Sequence, residues 1–288
     1  MSRYLTDRIT RYVVFICATL SFIILLAIAI FIFKEGLPAL KEIGVIKFIF
    51  GDVWRPNQGQ FGILTMIVGS VVVTAGALIM AVPLGIACAI LLAEVAPPRL
   101  RRFLRPSVEL LVGIPSVVYG LVGMVLLIPA IRHIGGTGFS VLAASIVLMA
   151  MVLPTIISIS EDAIRAVPVS YKEGALALGS THWQTIWRVL LPAARSGIGA
   201  SIVLGMGRAV GETMAMIMVI GNAIIFPKTP LDPARTLTGN IALEMNYASG
   251  IHESALFSTG IVLFVFIIIL NSIAVFALKR GSHASNLA

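Results

Sequence analysis

The chain has 288 residues, 58% of them hydrophobic and only 12% charged, with a formal charge of +8 and a mean hydropathy of +1.02. A soluble domain carries about a quarter of its residues as charged side chains, so most of this chain is solvated by lipid. Its basic excess reads as cytoplasmic loop charge rather than as a nucleic-acid surface. Cys17 and Cys88 both sit in apolar runs and the four histidines are scattered, which argues against a disulfide framework and against a metal centre.

The first twelve residues carry Arg3, Arg8 and Arg11, and an apolar run from 13 to 33 follows. That run is long enough to cross a bilayer and closes on no small-residue cleavage site, so it reads as a retained first span rather than a signal peptide. Further spanning-length runs lie at about 61–93, 107–131, 139–159, 197–222 and 256–278. A helix needs roughly 20 residues to cross the hydrocarbon core, so the expected fold is an all-α integral membrane protein with six transmembrane helices. The second run would measure ~50 Å by helix rise, which predicts a kink at Pro83 and Gly85 or a first turn outside the core. The third holds Pro115 and Pro129 among Gly113, Gly120 and Gly123, small residues that permit close helix approach.

Basic residues set the orientation. With the N-terminus inside, 13 of the 21 Lys and Arg fall in cytoplasmic segments, seven outside and one within a span. That bias puts both termini in the cytoplasm. Two sizeable outer segments result, 34–60 with a turn at Trp54-Arg55-Pro56, and 223–255 with breaks at Pro227, Pro230 and Pro233 before a helical stretch.

Two polar strings interrupt this pattern. The first, 173–192, reads EGALALGSTHWQTIWRVLLP and lies in the cytoplasmic loop before the fifth span. Glu173, Gly174 and Ala175 are followed after three residues by Gly179, and after nine more by Val189-Leu190-Leu191-Pro192. A carboxylate at Glu173 suits the start of a short helix, Gly179 permits a turn, and Pro192 marks where the next span begins. Leu176, Trp183 and Ile186 are the expected apolar anchors for a partner groove. An ordinary amphipathic surface helix is the alternative for this segment.

The second string, 205–214, reads GMGRAVGETM inside the fifth span. Arg208 lies ~16 Å up that helix, close to the midplane, where a charge costs about 2.5–3.5 kcal/mol. Glu212, four residues on, shares its helical face and is expected to pair with it. The pair reads either as a substrate contact or as a self-neutralising structural bridge. The glycine spacing is not that of a nucleotide loop, and no GxxxxGK[ST] motif occurs anywhere, so ATP hydrolysis has no seat in this chain. Glu109 reads as an interfacial carboxylate at the cytoplasmic face. Arg99, Arg101, Arg102 and Arg105 read as a topology signal with affinity for anionic lipid headgroups.

The 173–192 spacing resembles the cytoplasmic signature of ABC importer permeases, Glu-Ala-Ala, three residues, Gly, nine residues, Ile-x-Leu-Pro, departing from it only at Gly174 and Val189. Together with ELLVGIPSVVYG at 109–120 and GRAVGETMA at 207–215, continued by VIGN at 219–222, the chain resembles PstC-type permease subunits of phosphate importers from about Phe61 onward. The resemblance implies a type I ABC importer permease fold: an N-terminal helix and outer segment over 1–60, a permease body over 61–280 and a short cytoplasmic tail over 281–288. It also implies a homologous PstA-type permease partner, PstB-type ATPase subunits that use ATP-Mg, an external PstS-type phosphate-binding protein, and residence in the bacterial inner membrane. This chain would bind no cofactor itself. Glu173, Gly174, Ala175, Gly179, Leu191 and Pro192 would couple to the ATPase, and Arg208 and Glu212 would meet phosphate. A permease for another oxyanion, or an ATPase-independent channel or secondary transporter using the same charged pair, remain the competing readings. An intramembrane enzyme has no catalytic pair to rest on.

Overall fold

The computed structural model describes the backbone of residues 2–283 and the side chains of residues 7–8 and 10–276. The basic side chains counted at positions 3, 279 and 280, and residues 284–288 of the expected tail, lie outside the described residues. Lipid offers no partner for a backbone amide, so a chain this apolar satisfies its own amides by forming helices.

The first helix, α1 (Ser2–Ile43), is one continuous rod. It packs on the last, α13 (Ile251–His283). Gly36 makes that approach possible. A Cβ there would sit 2.7 Å from Ile261 Cδ1, and in its absence Ser258 Oγ donates to the Gly36 carbonyl at 2.6 Å. After α2 (Val45–Phe50), a two-stranded hairpin forms, β1 (Trp54–Arg55) with β2 (Gln60–Phe61), placing Trp54 opposite Phe61. Gly59 turns it at φ +66°, in the left-handed region that favours glycine.

The second long helix, α3 (Leu64–Ile90), runs unbroken through Pro83 and continues in one wide π turn to Val95. It lies along α7 (Val141–Arg165). Gly85 takes Ile156 against its backbone, and Ser145 Oγ donates to the Val73 carbonyl at 3.3 Å. Ala77, Ala81, Val147, Leu148 and Met151 fill the seam as the centre of the main core.

Two expected spans are built differently. The run at 107–131 is not one helix: α4 (Pro98–Val112) meets α5 (Ser116–Val122), which continues through a wide turn into α6 (Ile128–Arg132), at a bend of 97°. Pro115 cannot donate and pushes Ile114 out of helical conformation, so residues 107–112 belong to α4 rather than to the helix that follows. The run at 197–222 is also divided. α8 (Val169–Ala177) is followed by α9 (His182–Thr185), a π turn and α10 (Leu191–Gly211), one rod from His182 to Gly211. After a break comes α11 (Met214–Val219). Among the described residues five helices are long and apolar enough to cross a membrane, and the bent α4–α6 segment makes six when counted as one span.

The segments 34–60 and 223–255 clasp each other. α12 (Leu237–Glu244) ends on a buried carboxylate, Glu244. It accepts from Trp54 Nε1 at 2.8 Å and Arg235 Nη1 at 2.6 Å, and His252 Nε2 lies 2.9 Å away. The proline-rich stretch before α12 is fixed by Asp232, which accepts from the N–H groups of Thr229 and Lys228, each at 2.8 Å. Those donors hold the Asp232 carboxyl below its ordinary pKa. Removing the acid of the clasp strands a half-buried guanidinium, a loss of about 3–5 kcal/mol, whereas removing one donor to a charged acceptor costs about 1.5–3 kcal/mol. We therefore expect Glu244→Ala to lower the unfolding temperature of the detergent-solubilised protein more than Trp54→Phe, and both to fall below wild type. Equal melting for all three would dismiss the clasp.

Candidate functional site

The charges at Arg208 and Glu212 are positioned by where α10 stops, three residues past Arg208. Gly205 seats α10 against α7, since a Cβ there would lie 2.8 Å from Val152 Cγ1. Leu204 is exposed, and a Cβ on Gly207 or Gly211 would meet nothing within 4 Å. One flank of α10 is thus fixed to the core while the next is open.

Arg208 and Glu212 do not pair. The expectation assumed a helix continuing through both residues, but α10 ends at Gly211 and Glu212 is extended (φ −69°, ψ 131°). Its carboxylate turns forward over α11, where Oε1 accepts from the Ala215 N–H at 3.3 Å. A helix start supplies unpaired N–H groups and a positive pole, so this is a favourable seat for an acid. Thr238 Oγ1 donates to the Glu212 carbonyl at 2.9 Å and ties the break to α12. Arg208 instead points Nη1 at Thr155 Oγ1 on α7, at 3.5 Å. Among the described residues no carboxylate makes an ion pair with it. Tyr119 on α5 lies within electrostatic reach of the guanidinium. Glu212 borders a small cavity that it shares with Ser70, Thr74 and Thr236. The result is a half-buried cation facing a neutral hydroxyl, next to an acid with a free oxygen, on an open, glycine-lined flank.

The 173–192 string folds as a hairpin of helices. Glu173 sits at the fifth residue of α8, not in its first turn, so the dipole argument made from sequence does not apply; Pro168 precedes the helix and its first turn holds no acid. Glu173, Gly174, Leu176, Ala177, Leu178 and Gly179 are exposed while Lys172 and Ala175 turn partly inward. Gly179 bears out its turn role at φ +85°. Thr181 and Gln184 then form a reciprocal cap that starts α9. Pro192 opens no new span: it lies within the His182–Gly211 rod just past the π turn, with Leu191 partly buried beside it.

Of the three expected apolar anchors, Leu176 and Trp183 are exposed, but Ile186 is 1% exposed and belongs to the core with Ile164, Leu190 and Ala194. The sequence reading missed Leu178, at 91% exposure, and Trp187, whose ring meets Trp183 edge-on at 6.4 Å. The i, i+4 spacing of the two tryptophans was the available signal. Beside them a mostly apolar cleft of about 470 Å³ opens between Tyr171, Gly174, Ala175, Leu178 and Gln184. Glu109 is an exposed carboxylate, as expected of an interfacial group, in contact with Arg105 at 3.2 Å.

The family model for the binding-protein-dependent transport system inner membrane component matches residues 81–281. The chain belongs to that family. It is 44% identical to the probable ABC transporter permease protein YqgH of Bacillus subtilis over 272 residues, 92% of this chain and 88% of the relative. It is 37% identical to the phosphate transport system permease protein PstC of Mesorhizobium japonicum, covering 96% and 91% of the two chains. The inward-facing MetNI methionine ABC transporter superposes with a TM-score of 0.58 at 20% identity, over 80% of this chain and 99% of that one. This last likeness establishes the fold, that of a type I ABC importer permease. The protein is a multi-pass membrane transport subunit.

A Cβ on Gly179 would meet no atom of this chain within 4 Å, so a side chain there is felt through backbone strain and by whatever docks below. Gly179→Asp is expected to insert and fold yet lose at least ten-fold in recovery of its ATPase in a pull-down. Normal recovery with normal uptake would remove Gly179 from the docking surface.

Proposed function

We propose that this chain is the PstC-type subunit of an ATP-driven importer of inorganic phosphate, with its permease body over 61–280, supplying half of the translocation path. The observation that carries this reading is Arg208: a guanidinium on a membrane-spanning helix, bonded among the described residues to a hydroxyl alone and open on its glycine-lined side. Holding a charge there costs about 2.5–3.5 kcal/mol, and a structural bridge would have recovered that cost with a carboxylate. Among the described residues none stands at contact distance, so the counter-charge comes from the anion that passes.

The chemistry suits phosphate. Arg208 presents planar, always-charged donors that fit two oxygens of a tetrahedral anion. Glu212 has one oxygen engaged with Ala215, which leaves the other to accept the proton of a P–OH group. Sulfate at neutral pH has no such proton, so its approach leaves two anionic oxygens facing each other, the kind of mismatch by which a polar site rejects an analogue. With only two such groups from this subunit, binding stays weak enough for release.

The reading extends to the remaining parts of the assembly. A homologous PstA-type permease closes the open flank of α10. PstB-type ATPase subunits, which hold ATP-Mg, dock on α8 and on Leu178, Trp183 and Trp187, with Glu173, Gly174, Ala175 and Gly179 at the contact and Leu191 and Pro192 carrying it into the spans. A PstS-type phosphate-binding protein sits on the clasped outer segments, and both termini lie in the cytoplasm of a bacterial cell.

Arg208→Lys keeps the charge and loses the two-pronged geometry; uptake of phosphate into proteoliposomes should fall at least ten-fold while assembly persists. Glu212→Gln keeps the oxygen that caps α11 and removes the charge, so the break should survive while phosphate passage slows and discrimination against sulfate-like anions weakens. Full uptake by both variants at equal assembly would leave Arg208 and Glu212 without a part in the path.

A further inference from the structure

α8 carries no buried residue and its outer side is bare, so what joins it to the spans decides what a push on it can move. Among the described residues α8 makes one ion pair with the rest of the protein. Lys172 Nζ, on its inner side and one residue before Glu173, meets Glu94 Oε2 at 2.5 Å. Glu94 sits in the π turn that ends α3, with its side chain 11% exposed.

That turn is itself gripped. Its carbonyls at Leu92 and Ala93 point past the end of the helix, where they have no amide to accept from. Arg101 of α4 donates Nε to Leu92 O at 2.6 Å and Nη2 to Ala93 O at 2.7 Å. Arg165, at the end of α7, donates to Leu92 O at 3.3 Å and forms an ion pair with the buried Glu161 at 2.6 Å. Arg105 of α4 reaches Asp162 at 3.3 Å. The ends of α3, α4 and α7 therefore form one knot, and Glu94 is where α8 is tied to it.

We propose that the Lys172–Glu94 pair is the strut through which movement of α8 is passed to α3, making both of them positioning residues for ATP-driven transport. This rests on the reading of α8 as the ATPase-docking helix. α3 is fit for the task, because from Leu64 to Val95 it is a rod of ~48 Å, held along its length by α7. Near its far end Ser70 and Thr74 line the cavity beside Glu212. A displacement at Glu94 thus reaches the cavity beside Glu212 without leaving the rod. A charge pair with one partner mostly buried resists both stretching, by attraction, and replacement by water, since a lone Glu94 carboxylate would be left desolvated.

The test is a charge exchange in the complete importer, reconstituted in proteoliposomes with its ATPase and binding protein. Phosphate taken up per ATP hydrolysed is the readout. Glu94→Gln and Lys172→Met should each retain the ATPase on co-purification and continue to hydrolyse ATP, but lose at least ten-fold in uptake per ATP. The double exchange Glu94→Lys with Lys172→Glu should restore at least half of the wild-type ratio. The strut is overturned if either single variant keeps half or more of the wild-type ratio. It is equally overturned if the exchanged pair is no better than the singles at equal assembly, or if the singles shed the ATPase, which would make the pair an assembly contact. Wild-type protein that itself fails to hold an ATPase would instead defeat the docking reading on which the strut depends.

Discussion

Every unusual feature of this chain answers one constraint: inside a bilayer a backbone amide or carbonyl must find a partner within the protein. A helix meets that demand internally, so any interruption requires local substitutes, and the interruptions mark the sites of interest. At the α10–α11 break, Glu212 supplies an acceptor for the Ala215 N–H and Thr238 supplies a donor for the Glu212 carbonyl. At the end of α3, Arg101 and Arg165 take over carbonyls that the helix can no longer use. At the α4–α5 bend the Tyr119 hydroxyl donates to the Leu111 carbonyl at 3.0 Å. At the α10–α11 break the side chain needed for the backbone, Glu212, is also a candidate site residue.

The three π turns belong to the same pattern. Two of them, at Gly123–Leu127 and Ile186–Leu190, lie just before Pro129 and Pro192. A proline removes one donor and crowds the preceding turn, and a turn widened by one residue relieves that crowding while keeping the rod continuous. The added residue also rotates every later side chain about the axis by roughly 100° relative to an unbroken count. Ile186 and Trp187 lie within such a turn, where a simple helical count no longer predicts which side chain is buried.

This explains what could and could not be read from the amino-acid order. Apolar length and the bias of basic residues reveal the all-α membrane class, the approximate spans and the loop at 173–192, because these depend on composition over long windows. The left-handed turn at Gly179 was legible because one residue type favours it. The failures fall where a local break decides the outcome. Arg208 and Glu212 were put on one face by assuming a helix that stops between them, and residues 107–112 were joined to a span that Pro115 severs. Glu244 with Trp54, and Glu94 with Lys172, lie 190 and 78 residues apart; periodicity along the chain carries no information about such pairs.

The separation of Arg208 from Glu212 strengthens the transport reading rather than weakening it. Two opposite charges in contact would neutralise each other, and an anion would have to displace one to reach the other. Held apart by the break, each keeps an unsatisfied valence: Arg208 has donors beyond the one aimed at Thr155, and Glu212 has one carboxylate oxygen beyond the one that caps α11. In the proposed role, a protonated tetrahedral anion would accept from the first and donate to the second. The break also joins the site to the machinery around it, because Thr238 of α12 holds one side of it while α3 lines the neighbouring cavity. A shift of α12 would therefore act directly on the backbone that carries Glu212. In the proposed transport role, the placement of Glu212 relative to Arg208 would set whether an anion is met by both groups or by one, so that a movement of α12 would loosen it.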